Sequence, residues 1–454
     1  MGINKGWLIV CICICSIGLT LPSSAQRNRK LFNQNSDNVL RFDDTLSNKT
    51  TQVSEPVEPA ITAKDTAQKQ DKPSKKELVI SLVLPFNSAY AQSSLRSGNN
   101  SSNDTLDTKS SIPRETQIAI EFYKGAKLAL SQYKGKSIKI QIFDDEKSES
   151  KLLTILENQD FAASDLVIGP VYNQNAKLMA DYCKSHKILH FNPLSPAQGL
   201  AVSNPYHYKL FPSVSMHQKA VIMDLIQKHG GGKVYIFLKN TAEEKKSYSE
   251  LYEFVTRLNA FNVSKVKINI DSLVVGNENA KKPFSELTSS EYHTYFFCIS
   301  TSDATANEFA RRLINHDALK CTGIGMPTWL DQDGIKLDYM NRAEMCFPMA
   351  VFADTTQTQT VDFIKLFKST YRHEPNDNNL LGYDVMSLSL YTLSTFNDKL
   401  LQHFDEVNWK GAGINFSFEP VKISNAQHEL NFDYFENKSI KILKLQDYQL
   451  ISYE

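Results

Sequence analysis

The chain has 454 residues, and its 50 basic residues (Lys and Arg) balance 50 acidic residues (Asp and Glu), so the formal net charge is zero at pH 7. A nucleic-acid partner is not expected, because proteins that bind nucleic acids usually concentrate positive charge. The length corresponds to two or three average domains. Composition thus excludes a basic nucleic-acid-binding protein and leaves other classes open.

The first 25 residues have the three parts of a secretory signal peptide. Lys5 is the positive charge near the start, Trp7–Leu21 is the apolar part, and Ser23-Ser24-Ala25 is a small-residue cleavage site. No later stretch contains the roughly 18 apolar residues that a membrane helix needs. We therefore expect an exported, periplasmic protein whose mature form has no transmembrane span. An uncleaved N-terminal anchor is the alternative.

Two segments are too polar to fold by themselves. Residues 26–77 are rich in Asn, Asp, Gln, Lys, Ser and Thr, and residues 93–112 have a similar composition. Such segments bury too little apolar surface to offset the entropy lost on ordering. The sequence predicts a disordered tether over 26–77 and a mobile insert over 93–112.

Four cysteines follow the signal peptide: Cys183, Cys298, Cys321 and Cys346. Export permits disulfides, but the spacing of these residues matches no zinc or redox motif. Cysteine is often buried as a small apolar residue, so buried free thiols are the first expectation. A Cys321–Cys346 bridge is the alternative.

From Leu78 onward, patterns typical of strands and helices alternate. The first series has predicted strands at Leu78–Leu84, Ile138–Phe143, Leu166–Ile168, Ile188–Phe191 and Tyr206–Pro212 and predicted helices at Thr116–Tyr133, Lys151–Phe161 and Ala176–Lys184. The second has predicted strands at Lys233–Leu238, Val266–Ile270, Tyr295–Ile299 and Cys321–Gly325 and predicted helices at Gln218–Lys228, Tyr248–Leu258 and Ala304–Ile314. Two predicted helices, Val361–Tyr371 and Tyr383–Phe396, and three predicted strands, Gly411–Phe418, Glu429–Tyr434 and Ser439–Leu445, complete the chain.

This order predicts an α/β protein with two lobes, each a doubly wound and mostly parallel sheet. Lobe 1 is expected at 78–208, lobe 2 at 209–348 and a return to lobe 1 at 349–405. A closing segment at 406–454 is expected to lie mostly in lobe 2. A chain that leaves one lobe and returns makes several hinge crossings.

The segment Asp165–Pro196 is the clearest strand–helix–strand unit. Its first apolar run ends at Gly169-Pro170, and its second ends at Asn192-Pro193. Pro170 cannot donate to a sheet and disfavours a helix at the residue before it, so the first strand stops there. Ligands of open parallel sheets bind at the carboxyl ends of the strands, which places the expected site at these two strand ends.

Four stretches in this order resemble the type I periplasmic binding fold, the two-lobed structure of branched-chain amino-acid binding proteins and receptor ligand-binding domains. They are Ile120–Ala129 (IEFYKGAKLA), Leu166–Pro196, Tyr208–Ala220 (YKLFPSVSMHQKA) and Lys410–Phe418 (KGAGINFSF). The resemblance covers roughly residues 78–450. The chain looks most similar to the version of this domain that follows peptidoglycan-binding LysM repeats in Gram-negative envelope proteins, although residues 26–77 contain nothing like such a repeat.

The resemblance implies a ligand site between the lobes. Amino-acid binders of this family hold the ligand's carboxylate and ammonium with a Ser after the Ile-Gly-Pro turn and a Thr after the next strand, and these positions are Asn173 and Pro196 here. Leu194 takes the place of a small residue whose backbone contacts the ligand. Ligand-binding residues are expected at Asn87, Asn173, Gln174, Ser195, Asn240, Thr301 and Trp329.

Several candidates have a structural alternative. Asn173 and Gln174 lie where a helix begins, and capping is the favoured role for Asn173. Packing inside its own lobe is as strong an expectation for Trp329 as stacking on a ligand. His190 is expected to be a hydrogen-bonded packing residue, and Asp144-Asp145-Glu146 a solvated loop or helix cap.

No motif for catalysis, a cofactor or a metal is present, because the sequence lacks GxSxG, HExxH and P-loop patterns and a GxGxxG after a strand. The sequence therefore predicts a non-enzymatic binding protein that closes two lobes on a small polar ligand. The alternative is an envelope scaffold or regulator, associated with peptidoglycan, that kept the fold and lost the small-molecule site. Hydrolysis of an envelope polymer is a third hypothesis.

Free leucine, isoleucine and valine should not bind usefully. Pro196 donates no hydrogen bond and Leu194 adds bulk, so the ligand's charged groups would lose partners at a cost of roughly 1–3 kcal/mol per unsatisfied group. Isothermal titration calorimetry measures this directly. Micromolar affinity for any of the three amino acids contradicts the assignment of these positions.

Overall fold

The computed structural model describes residues 77–88, 112–195, 200–314, 320–422 and 432–452, without the side chains of residues 173, 174, 397 and 398. The predicted signal peptide therefore lies outside the described residues, as do the predicted tether except Glu77 and the predicted insert except Ile112. No helix within the described ranges is long and apolar enough to cross a membrane.

Strands and helices alternate along the described chain. The strands are β1 (Leu78–Leu84), β2 (Ile138–Asp144), β3 (Leu166–Ile168), β4 (Leu189–Asn192), β5 (His207–Lys209), β6 (Lys233–Leu238), β7 (Asn269–Val274), β8 (Thr294–Cys298), β9 (Cys321–Ile324), β10 (Cys346–Met349), β11 (Asn408–Lys410), β12 (Asn415–Val421), β13 (Tyr434–Asn437), β14 (Lys441–Gln446) and β15 (Gln449–Ser452). The α-helices are α1 (Arg114–Gln132), α2 (Glu149–Leu156), α3 (Gln159–Ala162), α4 (Asn173–His186), α5 (Val214–His229), α6 (Ala242–Ala260), α7 (Glu278–Lys281), α8 (Phe284–Leu287), α9 (Asp303–Ile314), α10 (Leu337–Arg342), α11 (Thr358–Tyr371) and α12 (Asp377–Thr395). Short 3-10 helices lie at Pro327–Asp331, Asn397–Gln402 and Phe404–Glu406.

The strands form two sheets, one in each lobe. The first sheet has the order β11-β12-β13-β5-β4-β3-β1-β2, and the second has the order β15-β14-β10-β9-β8-β6-β7. Strands β1 to β5 run parallel to one another, and so do β6 to β10. The predicted fold class, an α/β protein with two mostly parallel sheets, is therefore confirmed.

The closing segment differs from the prediction, which placed it mostly in lobe 2. Strands β11, β12 and β13 extend the first sheet, and only β14 and β15 join the second. β13 runs parallel to β5, with Phe435 opposite Tyr208, and Phe416, Phe418 and Phe435 are buried in the core of lobe 1. Burial of these aromatic side chains keeps the segment in lobe 1 until Asn437, after which the chain crosses to lobe 2.

The long helices α1 and α12 of lobe 1 touch through their backbones. A Cβ atom at Gly125 would lie 1.9 Å from the carbonyl oxygen of Asn379, and a Cβ atom at Gly382 would lie 1.9 Å from that of Phe122. Only glycine permits so close an approach. This packing attaches the returning chain firmly to lobe 1.

Three crossings between the lobes lie within the described ranges, at 210–213, 350–357 and 438–440. Asn437, which is fully buried, connects the first and the third. Its side-chain amide donates to the carbonyl oxygens of Leu210 (3.2 Å) and Asn415 (3.0 Å), and its side-chain oxygen accepts from the backbone N–H groups of Ser417 (3.1 Å) and Ser439 (3.0 Å). One side chain thus holds two crossings beside β12.

The second crossing is held indirectly by Asp384 of α12. The Asp384 carboxylate accepts three backbone hydrogen bonds, from Ala412 (2.7 Å), Gly413 (2.8 Å) and Ile414 (2.9 Å). The carbonyl oxygen of Gly413 then accepts from the N–H of Phe352 in the crossing (2.9 Å). Burial raises the pKa of Asp384 to about 6, although the three N–H groups lower it, so the carboxylate is ionised at pH 7.

The four cysteines of the described residues are free. Cys183, Cys298 and Cys346 are buried, whereas Cys321 is partly buried. The expectation of free thiols is confirmed, and the alternative bridge is not formed. Burial raises the pKa of Cys321 to about 11, so its thiol stays protonated and poorly reactive at neutral pH.

Asp384→Asn should lower the free energy of unfolding by about 2–4 kcal/mol, because an amide cannot accept all three N–H groups and leaves buried donors unsatisfied. Urea unfolding measures the effect. Asp377→Asn is the matched control, because Asp377 is an exposed carboxylate at the start of the same helix. It should change the stability by less than about 1 kcal/mol. Equal effects of the two substitutions would contradict the role of Asp384 in holding the backbone of residues 412–414.

Candidate functional site

The carboxyl ends of the parallel strands in both sheets lie next to the crossings. β5 ends at Lys209, immediately before the first crossing, and β10 ends at Met349, immediately before the second. The other parallel strands of each sheet run in the same direction as these two. Both carboxyl edges therefore face the region between the lobes, which we call the cleft.

Three neighbouring strands of lobe 1 carry buried polar residues on one face. Apolar and polar residues alternate in β4 (LHFN) and β5 (HYK), and Tyr434 and Glu436 lie on one side of β13 (YFEN). Side chains of residues paired across parallel strands share a face. We call this set the polar face: His190, Asn192, His207, Lys209, Tyr434 and Glu436, each at most 1% exposed. The alternate residues, Phe191, Tyr208 and Phe435, belong to the apolar core.

The row of the polar face nearest the cleft is centred on Lys209. This residue lies opposite Asn192 on one neighbouring strand and opposite Glu436 on the other. Its ammonium donates to the carbonyl oxygens of Ser195 (2.5 Å) and Phe211 (2.8 Å). Burial lowers the pKa of Lys209 to about 8, and the charge of Glu436 opposes this shift. A buried cation thus joins the end of β4 to the first crossing.

Ser195, a predicted ligand residue, lies in the loop after β4 and is only 1% exposed. Its N–H donates to Oδ1 of Asn192 (3.0 Å), while its carbonyl oxygen accepts from Lys209. Leu194 packs against the apolar core of lobe 1, and Pro196 lies outside the described residues. Nδ2 of Asn192 is buried and has no hydrogen-bond partner in the described structure, so a donor is left unsatisfied at this strand end.

The deeper row of the polar face contains His190 and His207. Nε2 of His190 lies 2.9 Å from the carbonyl oxygen of Gly169, and the two Nδ1 atoms lie 3.0 Å apart. The carbonyl can only accept, so His190 carries its proton on Nε2 and accepts at Nδ1 from His207. Burial lowers the pKa of His190 to about 4. Neutral, buried and fully bonded, His190 has the expected packing role.

Asn87, another predicted ligand residue, has a structural role at the end of β1. Its side-chain amide donates to Oγ1 of Thr116 (2.7 Å) and to the carbonyl oxygen of Pro85 (3.2 Å), which uses both amide protons. Its φ of 50° is a left-handed value that asparagine tolerates. The carboxylate of Asp144 accepts from the backbone N–H groups of Asn87 (3.1 Å) and Ser88 (2.8 Å). Asp144 therefore stabilises the loop after β1, whereas the predicted role for Asp144-Asp145-Glu146 was a solvated loop or a cap of the following helix, whose N-cap is Ser148.

Asn173 and Gln174 begin α4, directly after the carboxyl end of β3. Their side chains lie outside the described part of the structure, so their ligand contacts stay predictions. Asn175 is buried and donates to Asp145 (2.8 Å). Burial raises the pKa of Asp145. This contact fixes the amino end of α4 beside the loop after β2.

In lobe 2, Asn240 and Thr301 are exposed at the carboxyl ends of the neighbouring strands β6 and β8. Glu244 joins the two loops, because its carboxylate accepts from the backbone N–H of Lys239 (2.5 Å) and from Oγ of Ser300 (2.9 Å). The two predicted ligand residues therefore lie on braced loops at one edge of the sheet and are open to solvent.

Trp329 requires a correction, because its ring does not line the cleft. The side chain is fully buried in the core of lobe 2, and Nε1–H donates to the carbonyl oxygen of Ser300 (2.9 Å). The 3-10 turn after β9 brings the indole over Gly325, where a Cβ atom would lie 2.6 Å from the ring. Phe309 and Phe347 pack edge-on against it. No ring face is left for a ligand, so the predicted meeting of Trp329 with Asn173 in one cavity does not occur here.

Two cavities outside the polar face are described. One, of about 90 Å³, lies between the second and third crossings and is lined by Met349, Ala350, Phe352, Gly413, Asn415, Ser439, Ile440 and Lys441. Pockets for small molecules usually measure roughly 300–1,000 Å³, so this one is too small. The other, a groove of about 350 Å³ lined by residues such as Cys321, Arg342 and Lys444, lies at the edge of lobe 2 away from the cleft.

Comparison with known proteins identifies the fold. The chain matches no family model and no curated protein. A protein from Rhodospirillum rubrum, proposed to be a branched-chain amino acid ABC transporter, shares the fold with a TM-score of 0.55 and 13% identity, over 83% of this chain and 100% of that chain. An ABC transporter substrate-binding protein from Desulfitobacterium hafniense has the same fold, with a TM-score of 0.51 and 15% identity over 83% of this chain and 100% of that chain. The fold is the two-lobed type I periplasmic binding fold.

The residues that sequence reasoning missed are Lys209, Glu436 and Asn437. A signal for them exists, because central strands of a parallel sheet usually consist of continuous apolar residues. β4 (LHFN) and β5 (HYK) instead alternate, with His190, Asn192 and Lys209 at positions that should be apolar. Alternation in a buried strand indicates that one face contacts polar groups of the protein itself.

His190→Gln should reduce the loss of stability on acidification. The folded-state pKa of about 4 lies below the unfolded value of about 6.5, so stability is complete above pH 6.5 and falls, by up to about 3 kcal/mol, as the pH drops towards 4. Burial lowers the pKa of His207 and His217 as well, whereas the raised pKa values of Asp377 and Asp384 act in the opposite direction. Urea unfolding at pH 7 and at pH 4.5 gives the change in unfolding free energy of each protein. The difference between these two changes is the contribution of His190. Identical pH profiles would contradict its neutral, buried state.

Proposed function

We propose that the chain is an exported, non-enzymatic binding protein whose two lobes close on a small polar ligand. The polar groups at the carboxyl edges of the two sheets, beside the crossings, carry the proposal. A sheet built only for stability buries apolar residues on both sides, whereas β4, β5 and β13 bury six polar residues beside the crossings. Burying such groups costs free energy unless they are bonded, and their position supports a role at the cleft.

The ligand is expected to contact both lobes. Asn173, Gln174 and Ser195 mark the carboxyl edge of lobe 1, and the exposed Asn240 and Thr301 mark that of lobe 2. Amide and hydroxyl groups favour a ligand with hydrogen-bonding groups over an apolar one. The signal peptide supports a periplasmic location, and the solute-binding proteins that share the fold support lobe closure as the mechanism.

A second candidate is an envelope scaffold or regulator, associated with peptidoglycan, that kept the fold and lost the ligand. Two observations favour it. Trp329 is enclosed in its own lobe, and the amide protons of Asn87 are used within lobe 1. The resemblance to domains that follow LysM repeats supports the same class of partner.

A thermal-shift screen of amino acids, muropeptides and sugars tests the first candidate. A ligand present at 100 times its Kd should stabilise the folded protein by about 2.7 kcal/mol, which raises the Tm measurably. If no compound does so and the protein sediments with purified peptidoglycan, the second candidate replaces the first.

Asn240→Ala and Thr301→Ala should each weaken any ligand found in the screen by about tenfold, the equivalent of one hydrogen bond of about 1.4 kcal/mol. Asn269→Ala is the matched control, because Asn269 is exposed at the amino end of β7, on the opposite edge of the same sheet. Calorimetry measures the three affinities. Unchanged binding in both cleft variants would exclude these loops from the site.

A further inference from the structure

A network of buried hydrogen bonds and opposite charges runs from the cleft to lobe 2. It begins at the loop after β4, where the carbonyl oxygen of Ser195 accepts from Lys209 at 2.5 Å. The same ammonium holds the carbonyl oxygen of Phe211 in the first crossing at 2.8 Å. Loop and crossing therefore share one cation, and neither can move without changing its bonds.

The network continues through Glu436, which lies opposite Lys209 on the neighbouring strand and interacts with it electrostatically. Its carboxylate accepts from the backbone N–H of Ser213 at 2.5 Å. Ser213 is the N-cap of α5, because its Oγ accepts from the N–H of Met216 at 3.2 Å. Nδ1 of His217, one turn into the helix, lies 2.8 Å from the Ser213 carbonyl oxygen.

Helix α5 belongs to lobe 2, since Val221, Ile222 and Leu225 lie in the core of that lobe. Glu436 belongs to β13 in lobe 1. A lobe 1 carboxylate thus holds the first turn of a lobe 2 helix, while the cation opposite it holds the cleft loop. Opposite charges with so little exposure are strongly constrained, because each loses several kcal/mol if its partners move away.

We infer that Lys209 and Glu436 are positioning residues that couple the loop carrying Ser195 to helix α5, so that a displacement of the loop changes the orientation of lobe 2. This rests on the proposed function only in taking that loop as part of the ligand site. The coupling itself is a property of the unliganded chain and is measured without a ligand.

The test is a thermodynamic cycle read out as the distance between the lobes. Spin labels at Lys177→Cys on α4 and Lys246→Cys on α6, both exposed positions, report the distribution of inter-lobe distances in a Cys321→Ser background. Asn192→Leu disturbs the loop, because it removes the acceptor of the Ser195 N–H while keeping the side-chain volume. Lys209→Met combined with Glu436→Gln removes both charges together, which avoids leaving one buried charge unpaired.

Asn192→Leu should broaden the distance distribution by about twofold when Lys209 and Glu436 are present, and should have little further effect when both are replaced. Gln141→Met, at a buried amide of β2 on the far edge of the same sheet, should leave the distribution unchanged. Urea unfolding of every variant separates loss of coupling from loss of stability. If Asn192→Leu does not fold, Asn192→Ser removes the amide with a smaller change in the core.

An equal effect of Asn192→Leu in both backgrounds overturns the inference, and so does the absence of any effect when the pair is intact. A purely structural pair would change the unfolding free energy and leave the cycle additive. If the ligand screen fails while the cycle is non-additive, the proposed function fails and the coupling stands. If a ligand binds while the cycle is additive, the proposed function stands and the coupling fails.

Discussion

Lys209 and Glu436 are opposite charges on neighbouring strands, with almost no contact with water. Burying an ion costs several kcal/mol unless other groups replace its hydration. The fold supplies these groups from three places: the loop after β4, the first crossing and the cap of α5. Because the charges need all three, the geometry of the junction between the lobes follows from satisfying this one pair.

Asn437 and Asp384 form hydrogen bonds with backbone groups at or beside the crossings between the lobes. Where the chain leaves a sheet, it loses the strand neighbour that would pair its N–H and C=O groups, and buried backbone groups are rarely left unpaired. The Asn437 side chain serves the first and third crossings, while Asp384 orders the loop that receives the second. Directional bonds to polar side chains therefore fix each crossing where it leaves or enters lobe 1, and apolar packing dominates farther inside each lobe.

Much of this architecture could be predicted from local pattern. The strand Leu78–Leu84 has the predicted bounds, and the turn at Gly169-Pro170 ends β3 as expected, because alternation of apolar runs and amphipathic helices is a local property. The course of the closing segment could not be predicted, since β13 obtains its partner β5 from residues more than 200 positions away. The prediction for Trp329 was wrong for a different reason. Its position after β9 was predicted correctly, but the turn that folds the ring inward depends on the space left at Gly325.

The two edges of the cleft differ in how far their polar groups are exposed to solvent. On the described part of the lobe 1 edge, the amide protons of Asn87, the backbone of Ser195 and the ammonium of Lys209 are already bonded within the protein. On the lobe 2 edge, Asn240 and Thr301 remain exposed on loops that Glu244 braces. The polar groups of the described lobe 1 edge thus contribute to the internal bonding of that lobe, and the exposed groups of lobe 2 are accessible from the cleft. Under the proposed function, recognition would therefore depend more on the exposed loops of lobe 2 than on the lobe 1 edge.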